Sequence, residues 1–161
     1  MKNNPVDIGA DFSACGQYRY RLWQIWDPQK DAVGLISLNP SAAEVHDTNP
    51  TFRRCLRFAQ DWGFGALYLL NLFAYRAPTP QALKQAVSPI GPENNRYLRA
   101  LAGYTRIQVA AWGNDGSHLA RAQAVRKMLP HLHALKINAS GEPAHPLYLK
   151  ADLRPFLCPV D

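Results

Sequence analysis

"LISLNPSAAEVHDTNPTFRRC", residues 35–55, opens on an apolar run and breaks at once into Asn39-Pro40-Ser41. The run is the end of "AVGLISL" (residues 32–38), a continuous apolar stretch that suits a strand buried on both faces. Pro40 fixes its own φ and pushes Asn39 into extended backbone, so the strand should end in a rigid turn. Polar groups crowd the next stretch of chain: Glu44, His46, Asp47, Thr48 and Asn49. Asn49-Pro50 then predicts a helix start, because Asn caps free backbone N–H groups and Pro suits the first helical position. Phe52, Cys55, Leu56 and Ala59 recur at helical spacing, and Gly63 predicts the helix end. A strand, a sharp turn and a capped helix form one unit of an α/β fold. That unit puts a polar loop at the carboxyl end of a strand, where ligands of such folds sit.

The same alternation continues on both sides. "YRYRLWQIW" (residues 18–26) is aromatic and alternating, a strand pattern. "DPQKD" is a turn, so this strand and the 32–38 strand are expected to form an N-terminal hairpin. "ALYLLNLF" (66–73) and "RIQVAAW" (106–112) predict further buried strands, and "HALKIN" (133–138) a last one. Helical turns are expected over residues 81–87 and 92–102, and an amphipathic helix over 118–132. Asp115, in the tight loop "GNDGS", is expected to cap that last helix. Trp23, Trp26 and Trp62 read as core or hairpin packing. The expected architecture is one α/β domain over residues 1–161, three layers deep (α/β/α), with a mostly parallel central sheet.

Composition bounds the function. The chain has 161 residues, 47% hydrophobic and 19% charged, with enough length for a substantial core. No apolar run approaches the roughly 20 residues of a membrane span, and "MKNNPVDIGADF" lacks the apolar stretch of a signal peptide. A cytoplasmic location without membrane partners is the expectation. Cys15, Cys55 and Cys158 are odd in number and widely spaced, which argues against a disulfide framework or a zinc knuckle. Eighteen Lys and Arg against 12 Asp and Glu give a net charge of +6 and favour anionic partners such as nucleic acid or nucleotides. Composition leaves the oligomeric state open.

Four segments, in order, resemble motifs of the uracil-DNA glycosylase superfamily: "SLNPS" with Asn39 and Pro40, "LYLLNLF" with Asn71, "VAAWG" with Trp112 and Gly113, and "AHPLYL" with His145 and Pro146. Over nearly its whole length the chain also resembles a bacterial and phage family without an assigned activity, the domain of unknown function 1643. "LNPSAAEVHDTNPTFRRC", "WGFGALYLLNLFAYRAPTP", "VAAWG" and "GEPAHPLYL" carry that second resemblance. The glycosylase resemblance implies a glycosylase-like fold, with Asn39 orienting the attacking water, Asn71 reading a base edge and His145 stabilising the departing base. An amide at position 39 cannot act as a general base, so it can only orient water. The last motif lacks a Ser-Pro, which leaves Leu147 as the wedge residue.

Further substrate contacts are expected from Pro40, Ser41, His46, Asp47 and Arg76, with Phe52, Phe73 or Trp112 stacking on a base. Arg53, Arg54 and Arg57 would touch phosphates or form a solvated helix face. No cofactor or metal is expected, because the spacing supplies no set of three or four ligands. Each residue also has a plainer reading: Asn39 and Asn71 as strand-end turn residues, His145 as a loop histidine bonded to backbone. Three functions are compatible with these residues: a protein that binds a nucleobase, nucleotide or single-stranded nucleic acid and hydrolyses an N-glycosidic bond; a non-enzymatic binding module; or a hydrolase built on His46-Asp47.

Overall fold

The computed structural model describes residues 5–40 and 49–159. Its strands are β1 (Asp7–Phe12), β2 (Arg19–Ile25), β3 (Ala32–Ser37), β4 (Ala66–Asn71), β5 (Ile107–Ala110), β6 (His133–Ala134) and β7 (Phe156–Leu157). Its α-helices are α1 (Pro50–Asp61), α2 (Pro80–Gln85), α3 (Asn94–Ala100) and α4 (Arg121–Met128). All seven strands join one sheet in the order β1-β2-β4-β3-β5-β6-β7.

The sheet is mixed, and this corrects the expectation of a mostly parallel one. β3 pairs in parallel with β4 and β5, and β5 with β6. β1·β2, β2·β4 and β6·β7 are antiparallel. The expected hairpin is corrected too. β2 pairs with β1 and β4, and the N-terminal hairpin is β1–β2. The reason lies in the burial of β3, whose residues Val33 to Ser37 are all buried. Such a strand needs a neighbour on each side, and β4 and β5 supply them. β2 alternates buried and half-buried positions and takes a place nearer the edge.

Successive residues of a strand face opposite sides of a sheet, and two core clusters result. Val33, Leu35, Leu67, Leu69, Val109 and Ala111 pack with Phe52, Cys55, Phe58 and Ala59 of α1. Ile36, Leu70, Ala110 and Trp112 pack with Leu83 of α2, Leu98 of α3 and Ala122 and Val125 of α4.

α1 forms as its sequence predicts. Asn49 caps it, accepting from Phe52 N at 3.0 Å, Pro50 stands at the first helical position, and Gly63 follows the end with φ +88°. α4 is shorter than expected. Leu119 and Ala120 hold φ 54°, which excludes them from a helix, and Leu129 before Pro130 leaves the helical region at φ −128°, ψ 80°. Asp115 caps nothing; its carboxylate pairs with Lys84 Nζ at 2.9 Å. The 133–138 strand shrinks to β6 and is followed by β7 at the sheet edge.

Candidate functional site

The parallel strands β4, β3 and β5 end together, and a cleft of about 340 Å³ opens at their carboxyl ends. Its lining includes Ser37 and Asn39 from the end of β3, Asn71 from β4, Trp112 and Gly113 beyond β5, and His145 from a later loop. Asn49 and Thr51 bring the start of α1 to the same space, and Arg19 enters from β2. Asn39, Asn71 and His145, far apart in sequence, therefore share one cavity.

Each side chain has a defined hydrogen-bonding state. Asn39 spends both Nδ2 hydrogens on the backbone, donating to Pro40 O at 2.9 Å and Ala77 O at 3.2 Å. Its remaining capacity is that of an acceptor, through Oδ1. Asn71 lies opposite Ser37 in the β3·β4 register and is 1% exposed. Among the described residues its buried Nδ2 has no hydrogen-bond partner. Buried amide donors are nearly always met, so this one marks a place for an acceptor that the described residues do not supply.

His145 presents a donor of another kind. Its Nδ1 accepts from Leu147 N at 3.2 Å, capping the short 3-10 turn Pro146–Tyr148. With Nδ1 occupied as acceptor, the neutral ring carries its proton on Nε2. Burial pushes the imidazole pKa below its ordinary value, which keeps the ring neutral near pH 7. Gly113, at φ +78°, turns the chain after β5, and its N–H bonds Pro143 O at 2.9 Å, holding the His145 loop against the strand end. Arg54 of α1 ties the far side of that loop by donating to Leu149 O.

Beneath Asn71 lies a support that the sequence did not announce. Asn94 donates from Nδ2 to Asn71 O and Leu72 O, both at 3.0 Å. Arg121 adds a bond from Nε to Leu72 O at 2.8 Å and one from Nη2 to Asn95 Oδ1 at 2.6 Å. Burial brings the Arg121 guanidinium down to about 10, so it stays charged at neutral pH. Among the described lining residues Asp115 is the sole acid, and Lys84 neutralises it.

Other predicted residues lie elsewhere. Phe52 and Phe73 are core side chains at 1% and 0% exposure and do not line the cleft. Pro40 is buried and does not line the cleft. Arg76 donates to Gly16 O at 3.1 Å, lies over the Phe12 ring and does not line the cleft. Trp112 borders the cleft but sits in the core, its Nε1–H given to Glu142 Oε1 at 3.1 Å. Arg53 and Arg57 are exposed, whereas Arg54 is half-buried. Ser41, His46 and Asp47 fall outside the described residues. No group of three or more metal-ligating side chains occurs among the described residues. The Cys55 thiol is pushed up to about 12 by burial, which removes it as a nucleophile.

The family model for a protein of unknown function (DUF1643) matches residues 19–147, a span that holds every described residue lining the cleft. The chain belongs to the DUF1643 family. No curated protein and no solved structure matches it. No helix among the described residues is long and apolar enough to cross a membrane. Arg19, Thr51 and Asn94 were absent from the expected site. Thr51 alone carried a signal, as a residue of the first turn after the Asn49-Pro50 cap.

Proposed function

We propose that this DUF1643 protein binds a nucleobase, as a nucleotide or in single-stranded nucleic acid, and hydrolyses its N-glycosidic bond. The observation that carries the reading is the meeting of Asn39, Asn71 and His145 in one cleft, with the Asn71 Nδ2 donor left unmet. The net charge of +6 favours the phosphate-bearing forms of such a ligand. Helices packed into core clusters on both sides of the sheet support a three-layer, glycosylase-like arrangement as part of the proposal.

The chemistry fits these groups. The bond between the anomeric carbon and the base nitrogen breaks with its electron pair moving to the base. Positive charge then grows on the sugar and negative charge on the base. Asn71 Nδ2–H and His145 Nε2–H donate to the base where that negative charge develops. One donor so placed contributes about 3 kcal/mol. Asn39 Oδ1 accepts from the attacking water and orients it. Water oxygen bonds the anomeric carbon, and its proton ends on the departing base. Asn39 has no basicity at neutral pH, so the barrier falls through leaving-group stabilisation rather than deprotonation of water.

The test is base release from single- and double-stranded oligonucleotides, nucleosides and nucleotides carrying uracil, hypoxanthine, xanthine or alkylated bases. Release that falls about 100-fold or more in His145→Ala supports the hydrolase. Saturable binding without release points instead to a binding module, a reading favoured by the purely structural use of both Asn39 amide hydrogens.

A further inference from the structure

The cleft has a second recognition surface besides its side-chain amides: the start of α1. Asn49 and Thr51 both line it. The first N–H groups of any helix lack partners within the helix. Here Pro50 has none to offer, and Phe52 N is taken by Asn49 Oδ1. Arg53 N bonds Asn49 O, as in any continuing helix. Thr51 N–H is the donor that remains without an acceptor among the described residues. The first turn of this 12-residue helix contains no acidic residue, so nothing in the turn answers the partial positive charge at its start. The lining's sole acid among the described residues, Asp115, is already paired with Lys84. Independently, the buried Nδ2 of Asn71 in the same cleft meets no acceptor among the described residues.

We infer that the α1 end of the cleft is a phosphate subsite, formed by the Thr51 main-chain N–H and the helix dipole. The ligand is then a nucleotide held at two points, its phosphate on α1 and its base toward Asn71 and His145. This deepens the nucleobase reading and rests on it for the identity of the second point. Recognition through the main chain has a distinctive consequence: truncating the Thr51 side chain leaves the donor in place, whereas a carboxylate there occupies the subsite with like charge. An acid in the first turn also favours the helix itself, so the charged variant is expected to fold.

The experiment is calorimetric titration of the full chain with inorganic phosphate, with each common nucleoside, with its 5′-monophosphate, and with a dinucleoside monophosphate that offers only a diester. Melting curves of each variant accompany the titrations. At least one monophosphate is expected to bind ten-fold or more tightly than its nucleoside. Thr51→Ala should keep that gain within three-fold, and Thr51→Asp should abolish it without lowering the melting temperature. The diester arm separates a terminal phosphate from a strand phosphate; binding by either supports the subsite when Thr51→Asp removes it. Equal binding of nucleoside and monophosphate overturns the subsite while leaving the base reading intact. Phosphate binding that Thr51→Asp removes, with no contribution from any nucleoside, supports the subsite and sinks the base reading. A phosphate gain that survives Thr51→Asp, or no binding in any arm, overturns the inference.

Discussion

Asn71 combines two demands that conflict. Its backbone closes β4, while its buried Nδ2 meets no partner among the described residues. An unmet buried donor costs about 1–3 kcal/mol, and the unliganded fold carries that penalty. Asn71→Leu should therefore leave the free protein as stable or raise its unfolding free energy by about 1 kcal/mol, while removing ligand binding. Urea denaturation and titration on the same samples check both halves; a large loss of stability would show that the amide serves the fold instead. His145 gives the matching pH dependence. Its folded pKa is lowered by burial, so the unfolded chain takes up the proton first. Its contribution to stability is complete above its ordinary value of 6.5 and is lost as pH falls through the depressed folded value. Donation from Nε2 survives in either state, but protonation breaks the Nδ1 bond to Leu147. Ligand affinity should stay flat down through pH 6.5 and fall only as pH drops toward the depressed folded value, with His145→Gln flattening the profile. Asn39, Asn71 and His145 could be found in the sequence because each follows a strand or a rigid Pro turn. Arg19 could not. Alternation along β2 marks positions by face, and a buried arginine at the strand's first residue has no pattern of its own.

Among the elements, α1 was the most legible because its start is written in local chemistry. Asn49→Ala should cost about 1 kcal/mol and loosen the first turn that borders the cleft. Asn49→Asp should restore the cap, and the midpoint of denaturant unfolding reads the difference. α4 was less legible because its apolar spacing continues past both real ends. The left-handed backbone at Leu119 and Ala120 and the pull of Pro130 on Leu129 decide its limits, and no side-chain periodicity records them. The brace from α3 was invisible for a related reason. Asn94 is fully buried and bonds two consecutive carbonyls of the β4 exit, a contact made only once the chain has folded. Asn94→Leu should cost about 1–3 kcal/mol through its orphaned carbonyls. It should also weaken ligand binding, although Asn94 does not line the cleft; unchanged affinity in a folded variant would remove it as a positioning residue.

Across the whole molecule, the strand order separates what sequence pattern could and could not supply. The apolar runs of β3, β4 and β5 identified the buried centre. Neither "DIGADF" nor the Phe156-Leu157 pair has such a run, and both become strands only by pairing with β2 and β6 at the two edges. The turn between β2 and β3 resembled a hairpin turn because local sequence cannot reveal that β4 will lie between the two strands. Stability should follow the same gradient. β3 is buried along Val33 to Ser37 and bonded on both sides, while β7 is exposed, two residues long and paired on one side. Native-state hydrogen exchange is therefore expected to be slowest at Val33–Ile36 and Leu67–Leu70, opening only with global unfolding. Amides of β1 and β7 should exchange through local fraying at much lower free energy. Protection at β7 equal to that at β3 would mean the edge is covered by another surface. Saturating ligand should slow exchange further at the exits of β3 and β4, where Asn39 and Asn71 stand, and leave β7 unchanged, because the cleft lies at those strand ends and β7 contributes nothing to its lining.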